Sequence, residues 1–501
     1  MVTGGLSTRS GIEYYRIEGV EGMEPFLMTV VSDSDLWMFV SSAGALTAGR
    51  IDADHALFPY ETVDKLHRAA GITGPVTVIA RTVDGQRRLW RPFGAERDAS
   101  CTRSIAKSVL GDRLVFEERH DEWGLEFRAT WEPSNTYGWV RTVEIVDVVD
   151  VGGHGADLEV LDGLLDVMPA GVAAHTEQTL SNLVDSYKRS ETGPWGTMAV
   201  YTLEALITDR PEPAESLTAT TIWSSGFADA APDLDARAVA AMVDGRSLEP
   251  SRLVTGRPGA YLLRGAVTVP ESGSVSWMMV ADTGLAHPGV LAACRAATDA
   301  DAVRTVGDDI RAGSERLRVL LSGADAFQST ADGIADAHHL SNVLFNSMRG
   351  GVFPYGHQVP VPDLAEFVHA RNREVSDRHQ TWLGALGPWV DVATLRDAAR
   401  STGDADLIRL VLEYLPLTFS RRHGDPSRPW NRFSINVRND DGGELLSYEG
   451  NWRDIFQNWE ALLQSFPAYF AHVVAKFVNA STIDGYNPYR ISRDGIDWEV
   501  P

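Results

Sequence analysis

The chain has 501 residues, which is too long for a single hydrophobic core, so two or three domains are expected. Its net charge of -24 repels phosphate backbones and no basic cluster interrupts it, which argues against nucleic acid as a partner. The sequence shows neither a signal-like N-terminus nor an apolar run long enough to cross a bilayer, so a cytoplasmic protein with no membrane partner is expected.

Short β-branched and aromatic runs alternate with turn residues over most of residues 1–287. Examples are FLMTVV, VTVIAR, LEFRATW and VSWMMVADT. In LEFRATW the apolar residues occupy alternate positions, which is the period of a strand with one buried face: Leu125, Phe127, Ala129 and Trp131. This spacing predicts that residues 1–287 form a large antiparallel β-sandwich.

The hydrophobic period changes to that of helices from Val290 onward. Helical segments are predicted at residues 365–373, 391–401, 404–418 and 453–478, and we interpret them as antiparallel helix pairs. We therefore expect a helical linker over residues 288–328 and a second, mainly helical domain over residues 329–501.

Several common catalytic motifs are missing from the sequence. It has no GxxxxGK[ST] loop, no GxGxxG after a strand, no GxSxG elbow and no HExxH. Cys101 and Cys294 are far apart and form no CxxC, so neither a disulfide framework nor a cysteine zinc site is indicated. His338 and His339 are adjacent on a predicted helix, about 100° apart around its axis, which is poor geometry for one metal. No metal site or bound cofactor is predicted.

One stretch, YEGNWRDIFQNWEALL at residues 448–463, places charges and large aromatic rings where a helical pattern begins. Its apolar residues follow the spacing of an amphipathic helix with a wide apolar face: Ile455, Phe456, Trp459, Leu462, Leu463 and Phe466. Asp454 then falls in the first turn, where an aspartate can simply cap free N–H groups and complement the helix dipole. That structural explanation stands beside a functional one.

The functional explanation is a carbohydrate site. Sugars need bidentate donors and acceptors for their hydroxyls and aromatic faces for their rings. Trp452 could supply a stacking platform, Arg453 a donor and Asp454 an acceptor, and Gln457 lies one turn further on the same side. The flanking loops add further aromatic and charged residues, including Trp430 and Tyr486. Carbohydrate is therefore the expected ligand class.

These residues carry a resemblance to a known family. NWRDIFQNWEALL resembles the Gly-Phe-Arg-Asp-x-x-Gln-Asp block of cellobiose-phosphorylase-like glycoside phosphorylases, which are related to inverting glycoside hydrolases with an (α/α)6 barrel. WNRFSINVR, at residues 430–438, is similar to the segment that leads to the anion-binding arginine of that family. The resemblance implies that Arg453 and Asp454 bind the donor sugar and that Arg438 contacts phosphate. It also implies a β-sandwich, a helical linker and then an (α/α)6 barrel.

The same resemblance has consequences for catalysis. In that family the general acid lies well beyond the Arg-Asp block, so the chain would hold only the first part of the barrel, apparently truncated, and no complete catalytic set. Inorganic phosphate is the implied co-substrate. A homodimer through the β-sandwich, or a second chain that completes the barrel, is an implied partner. If the alignment of the motif fails, Asp454 is the fallback general acid within this chain.

Four interpretations of function follow from the sequence. The first is an inverting glycoside phosphorylase that acts on oligosaccharides, and the second is a glycoside hydrolase of the same clan. The third is a non-catalytic subunit that binds carbohydrate or assists assembly. The fourth is a protein of unrelated function in which Asp454 only stabilises the start of a helix.

Overall fold

A computed structural model describes residues 1–95, 98–148, 155–208, 211, 214–227, 231–422, 424–428, 431–439 and 443–498. Within these residues the chain separates into two compact units. The sheet unit comprises Met1–Glu315 together with Asp425–Trp430. The helical unit comprises Arg316–Gly424 and Asn431–Pro501. The predicted division into three domains, with a separate linker at residues 288–328, stays a prediction.

The sheet unit is built mainly from antiparallel strands. Its strands are β1 (Thr3–Arg9), β2 (Ile12–Glu18), β3 (Leu27–Val30), β4 (Leu36–Ser41), β5 (Leu46–Arg50), β6 (Gly74–Val83), β7 (Gln86–Trp90), β8 (Cys101–Ser108), β9 (Leu114–His120), β10 (Leu125–Ser134), β11 (Gly138–Asp147), β12 (Ala156–Val167), β13 (Lys188–Thr192), β14 (Ala199–Leu203), β15 (Thr218–Ser225), β16 (Leu253–Thr255), β17 (Gly259–Val269) and β18 (Ser274–Ala286). Its helices are α1 (Val63–Arg68), α2 (Ala174–Tyr187), α3 (Arg237–Val243), α4 (His287–Ala297) and the first part of α5 (Ala302–Ser322).

Two sheets of the sheet unit carry most of its strands. Among the described residues, the large sheet has the strand order β1-β2-β8-β9-β10-β11-β18-β15-β14-β13-β16 and the small sheet has the order β17-β12-β6-β7. Adjacent strands pair antiparallel, for example β10 with β11 and β12 with β6. Residues of both sheets belong to one hydrophobic core. A large antiparallel, sheet-rich region at the N-terminal side of the chain is therefore confirmed.

Strand β10 shows why the sequence alternation was informative. Leu125, Phe127, Ala129 and Trp131 are buried, whereas Glu126, Arg128 and Thr130 are only half-buried. Successive side chains of a strand point to opposite faces, so the apolar set enters the core while the polar set meets solvent and neighbouring charges. The predicted inside-outside pattern of this strand is confirmed.

A buried polar group joins the two sheets inside their common core. Arg141 of β11 donates from Nη1 to both carboxylate oxygens of Asp162 of β12, at 2.9 and 2.7 Å. Thr77 of β6 and Trp277 of β18 also donate to that carboxylate, at 2.6 and 2.7 Å. Neither Arg141 nor Asp162 has more than 2% of its side chain exposed. Such a pair is tolerated in a core because both charges are compensated and hydrogen-bonded.

The helical unit contains short helices with small two- and three-stranded sheets between them. Its helices, after the second part of α5, are α6 (Gly333–Gly350), α7 (Val361–Arg371), α8 (Arg373–Arg378), α9 (Gln380–Ala385), α10 (Val392–Ser401), α11 (Ala405–Glu413), α12 (Trp452–Ser465) and α13 (Phe470–Ala480). Its strands are β19 (Gln358–Pro360), β20 (Trp389–Asp391), β21 (Arg421–Arg422), β22 (Ser434–Ile435), β23 (Glu449–Asn451), β24 (Arg490–Ser492) and β25 (Ile496–Asp497). The proposed (α/α)6 arrangement of these helices stays a prediction.

Two predicted helices are shorter than expected, and local chemistry explains one of them. The prediction of one helix over residues 453–478 was wrong, because the chain leaves α12 at Phe466 and Pro467 precedes α13. A proline has no N–H to continue a helix and its ring clashes with the preceding turn. The helix predicted to reach Thr418 ends at Glu413, and Thr418 instead forms a bridge with Val352.

Aspartates define the starts of several helices in this unit. Asp391 accepts hydrogen bonds from the backbone N–H groups of Ala393 and Thr394, and Asp404 does the same for Asp406 and Leu407. These caps satisfy donors that have no partner within the helix. Within the described ranges, none of the helices has both the length and the apolar character needed to cross a bilayer.

Candidate functional site

The candidate site lies where strand β23 passes directly into helix α12. Asn451 ends the strand with an extended backbone, and its side chain makes no capping hydrogen bond. The first N–H of the helix, that of Trp452, donates to the carbonyl of Tyr489 at 2.9 Å. The strand itself is held by β24, with Asn451 opposite Arg490. The start of the helix is therefore positioned by tertiary contacts.

Asp454 occupies the first turn of α12, as predicted, but it is not the residue that caps the helix. The side chain of Asn451 donates from Nδ2 to Asp454 Oδ2 at 3.4 Å and to Asn431 Oδ1 at 2.7 Å. The Asp454 side chain is 24% exposed. A carboxylate that is partly open to solvent and accepts from one amide group can also accept hydrogen bonds from a ligand.

Arg453 lies next to Asp454 but extends into solvent. Its Nε is 3.9 Å from Asp454 Oδ1, and its side chain is 87% exposed. An ion pair with this geometry and exposure contributes little to stability. The two side chains are therefore neighbours, and the guanidinium of Arg453 keeps its donors accessible for a ligand.

Two aromatic side chains flank the charged pair in different environments. Trp452 is half-buried and its ring meets that of Phe477 edge to face at 4.7 Å. Phe456, one turn further along, has 52% of its surface exposed. The expectation that Phe456 lies on the buried face of the helix was wrong. The ring packs against Phe477 at 5.2 Å but remains open on its other side.

Packing beneath α12 fixes this helix against α6. Trp459 is completely buried, and its indole N–H donates to the carbonyl of Gly350 at 2.8 Å. A Cβ atom at Gly350 would lie 2.9 Å from the Cβ of Asn458, which shows how closely the two helices approach. Asn458 in turn donates to Asn346 of α6 at 2.9 Å. These contacts hold the second turn of α12, which follows the turn that carries Asp454, against α6.

Glu449 is a site residue that the sequence did not reveal. It lies on β23 two residues before Asn451, so both side chains point to the same face of the strand. Ser434 Oγ donates to Glu449 Oε1, and Arg490 lies 3.6 Å from Oε2. Burial raises the pKa of the Glu449 carboxyl, although Arg490 and Arg422 act against that shift. Its strand has only three residues, so the sequence held no pattern that could have identified it.

Three of the other predicted site residues are placed by the structure in α12 or in the loops around it. Gln457 is exposed on α12, and Tyr486 is 71% exposed in the loop after α13. Arg438 is half-buried and its backbone forms a bridge with that of Glu444. Trp430 lies outside the described residues. The binding roles of these four residues stay predictions.

A metal site is not indicated in the part of the chain that the structure describes. There, no three His, Cys, Asp or Glu side chains are grouped so that they could hold an ion. The functional groups around β23 and α12 are two carboxyl groups, several amides, arginines and aromatic rings.

One segment of the chain matches a known protein family. Residues 353–416 match the model of glycoside hydrolase family 149 insertion domain 1. This segment runs from Phe353 to Pro416 and contains helices α7 to α11. It lies outside residues 430–498, on which the sequence resemblance was based. The expected similarity to glycoside-processing proteins is thus confirmed through an independent part of the chain.

Comparisons with whole proteins give weaker similarities. No curated protein matches this chain. Among solved structures, a heparinase III with methylated lysines aligns at 9% identity with a TM-score of 0.23, covering 52% of this chain and 34% of that one. A protein assigned as a kojibiose phosphorylase from the human microbiome aligns at 8% identity with a TM-score of 0.32, covering 81% and 45%.

A third similar structure is a protein assigned as an aldose 1-epimerase from Klebsiella pneumoniae, at 7% identity and a TM-score of 0.25, covering 62% of this chain and 92% of that one. This chain therefore spans less than half the length of the heparinase and of the kojibiose phosphorylase homologue. The TM-scores are too low for any of the three to establish the overall fold.

Proposed function

We propose that this chain is a carbohydrate-active protein of the glycoside phosphorylase or glycoside hydrolase type. The observation that carries the proposal is the match of residues 353–416 to an insertion domain of a glycoside hydrolase family. The β23–α12 site supports it independently, because it combines accessible carboxylate and guanidinium groups with exposed aromatic surface. The proposed architecture is a β-sandwich followed by part of an (α/α)6 barrel.

The proposed ligand is an oligosaccharide bound at the start of α12. Asp454 accepts hydrogen bonds from sugar hydroxyls, and Arg453 donates to them from its exposed guanidinium. The open side of Phe456 and the exposed part of Trp452 offer apolar surface to a sugar ring. The Asn451 amide donates to the Asp454 carboxylate and is itself positioned by its hydrogen bond to the side-chain oxygen of Asn431.

We assign the proton-donor role in this chain to Glu449. A carboxyl group whose pKa is raised by burial holds its proton closer to neutral pH and can deliver it to a departing glycosidic oxygen. The attacking group at the anomeric carbon is phosphate in a phosphorylase and an activated water in a hydrolase. Arg438 is the proposed phosphate contact. Asp454 keeps its proposed role in sugar binding, and its fallback role as general acid stays a prediction.

Two substitutions separate binding from catalysis at this site. Asp454→Asn is expected to weaken oligosaccharide binding about tenfold, because the asparagine side chain has one acceptor oxygen where the carboxylate has two. Glu449→Gln is expected to retain binding and to lower turnover by roughly 100-fold or more, because it removes the proton. Isothermal titration with β-glucan oligosaccharides measures the first effect. Release of reducing sugar or sugar phosphate, with and without inorganic phosphate, measures the second.

Glu460→Gln, an exposed position on the same helix, is the matched control and should change neither quantity. Turnover that requires phosphate identifies a phosphorylase, and turnover without phosphate identifies a hydrolase. Oligosaccharide binding without turnover in the parent chain would instead support a carbohydrate-binding subunit. If the parent chain binds no oligosaccharide, or if Asp454→Asn leaves its affinity unchanged, the proposed site is wrong.

A further inference from the structure

Strand β1 forms an open edge of the large sheet. It is the first strand in the sheet order, and all seven of its residues pair with β2 in an unbroken antiparallel register. Every second residue of β1 therefore directs its N–H and C=O groups away from the sheet. No backbone hydrogen bond joins these groups to another segment among the described residues. The edge is available to a further strand.

The other edges of the two main sheets are protected. β16, at the opposite edge of the large sheet, has only three residues. In the small sheet, the edge strand β17 exchanges two backbone hydrogen bonds between Leu262 and Asp233, and the edge strand β7 carries exposed Arg87 and Arg88. Short strands, covered edges and charged side chains are the usual means of preventing edge-to-edge contact. β1 is seven residues long, has no proline or bulge, and carries one charge, Arg9, at its last position.

One face of this edge is an apolar surface that the protein core covers only in part. Leu6 lies opposite Tyr15 of β2, so the two side chains share a face of the sheet. Ile17, two residues after Tyr15 and on the same face, packs against the common core of the sheet unit. Nearer the edge this cover ends, because Leu6 is half-buried and Tyr15 is 39% exposed. A Cβ atom at Gly4 would lie 2.8 Å from the Tyr15 hydroxyl oxygen, so the ring reaches towards β1.

A second copy of β1 fits this edge. Antiparallel pairing of the whole strand with its own copy has a single register, in which Leu6 lies opposite the partner's Leu6 on a two-fold axis. The remaining pairs in that register are small or polar and place no like charges opposite each other: Gly4 with Thr8, Gly5 with Ser7, and Thr3 with Arg9. β1 contains no acidic residue, so two chains of net charge -24 can approach at this edge without opposed carboxylates.

We propose that two copies of this chain associate edge to edge through β1, so that their large sheets form one continuous antiparallel sheet. The contact adds main-chain hydrogen bonds between the two strands. It also joins Leu6 and Tyr15 of both copies into one apolar strip across the axis. Each copy uses its β1 edge once, so association ends at a dimer. The inference rests on the sheet unit alone and does not depend on the carbohydrate function proposed above.

Sedimentation equilibrium of the whole chain, without an N-terminal tag, tests the proposal. The chain has a mass of 54.7 kDa, and the expected species at micromolar concentration has twice that mass and no larger one forms. Hydrogen exchange locates the contact. Amides of residues 3–9 are expected to exchange about tenfold more slowly in the dimer than after dilution to the monomer, whereas those of β16 should not change.

Variants of β1 test the register. Leu6→Lys is expected to weaken the dimer at least tenfold, because it removes the apolar contact and places two ammonium groups together at the axis. Thr3→Arg opposes the partner's Arg9 and should weaken the dimer roughly threefold, whereas Thr3→Glu should strengthen it by a similar factor. Leu253→Lys, at a 54% exposed leucine of β16 on the opposite edge, is the control and should leave the dimer unchanged.

The proposal is overturned if the parent chain stays a monomer up to its solubility limit, or if Leu6→Lys dimerises as tightly as the parent chain does. Growth beyond a dimer would contradict the closed two-fold arrangement. Thr3→Arg and Thr3→Glu that shift the affinity in the same direction, or not at all, would overturn the register centred on Leu6. Circular dichroism checks the fold of each variant, and the exposed position of Thr3 keeps the test decisive if Leu6→Lys does not fold.

Discussion

Arg141→Leu is expected to lower the free energy of unfolding of the sheet unit by about 3–5 kcal/mol. The substitution leaves the Asp162 carboxylate, which has no exposed surface, without a positive partner. Thr77 and Trp277 would still donate to it, but two neutral hydrogen bonds do not replace the charged Nη1 donor of Arg141, which contacts both carboxylate oxygens. Urea unfolding monitored by hydrogen exchange in peptides from β11 and β12 measures the change within this unit.

The matched double variant Arg141→Leu/Asp162→Leu should be more stable than the single variant, because it removes both buried charges. Arg128→Leu, on the neighbouring strand β10, is the control for a partly exposed arginine whose side chain is 25% accessible. It is expected to cost about 1 kcal/mol or less. A loss of similar size in Arg141→Leu and Arg128→Leu would contradict the central role of the buried pair.

Lys476→Met is expected to stabilise the helical unit by roughly 2–5 kcal/mol at pH 7 and below. Lys476 lies on α13 with only 3% of its surface exposed, and burial lowers the pKa of its ammonium from 10.5 to about 7. Arg371 adds to that shift, whereas Glu413 and Asp494 oppose it. The Nζ atom lies 5.8 Å from the ring centre of Phe367 and 5.4 Å from that of Tyr448, in a largely apolar setting.

The direction of the pH dependence follows from proton binding. Between pH 7 and 10.5 the unfolded chain holds the Lys476 proton and the folded chain releases it, so stability rises with pH across this window. Below pH 7 both states are protonated and the full destabilisation is present. The advantage of Lys476→Met should therefore be largest at pH 6–7 and disappear as the pH approaches 10.5.

Hydrogen exchange of α13 peptides in urea, at several values between pH 6 and 10, measures this advantage. Burial lowers the pKa of His472 from 6.5 to about 4, so its effect on stability is confined to about pH 6.5 and below. Both the parent chain and Lys476→Met contain His472, so this effect cancels in their difference. Lys65→Met is the control at an exposed lysine, 57% accessible, and should leave α13 unchanged. A stability difference that stays constant with pH would show that Lys476 is charged in the folded chain throughout.

The candidate site was only partly predictable from the sequence. The placement of Asp454 in the first turn of a helix followed from the spacing of Ile455, Trp459 and Leu462, because residues on one helix face recur at fixed intervals. Glu449 was missed because a strand of three residues is too short to show a pattern. The exposure of Phe456 was also not predictable, since helical spacing places it on the apolar face and the packing against Phe477 of α13 decides how much of its ring is covered.

The similarity to a known protein family was also only partly predictable from the sequence. The sequence resemblance came from residues 430–498, whereas the family match covers residues 353–416. The predicted helices at residues 391–401 and 404–418 lie mostly in that matched segment and begin at the capping residues Asp391 and Asp404. The helical period of this segment was therefore readable before any comparison, although the identity of the segment was not.

The sequence by itself determined that β10 is a strand and that a helix begins near Asp454, because the alternation of apolar residues in β10 and their helical spacing in α12 are local properties of the chain. Only the tertiary structure decided which polar groups meet. Arg141 and Asp162 are joined across two sheets, and Lys476 is enclosed by residues from other elements. Such partners are distant in the chain, so no local pattern encodes their contact, and the cost of burying their charges is set by the packing around them.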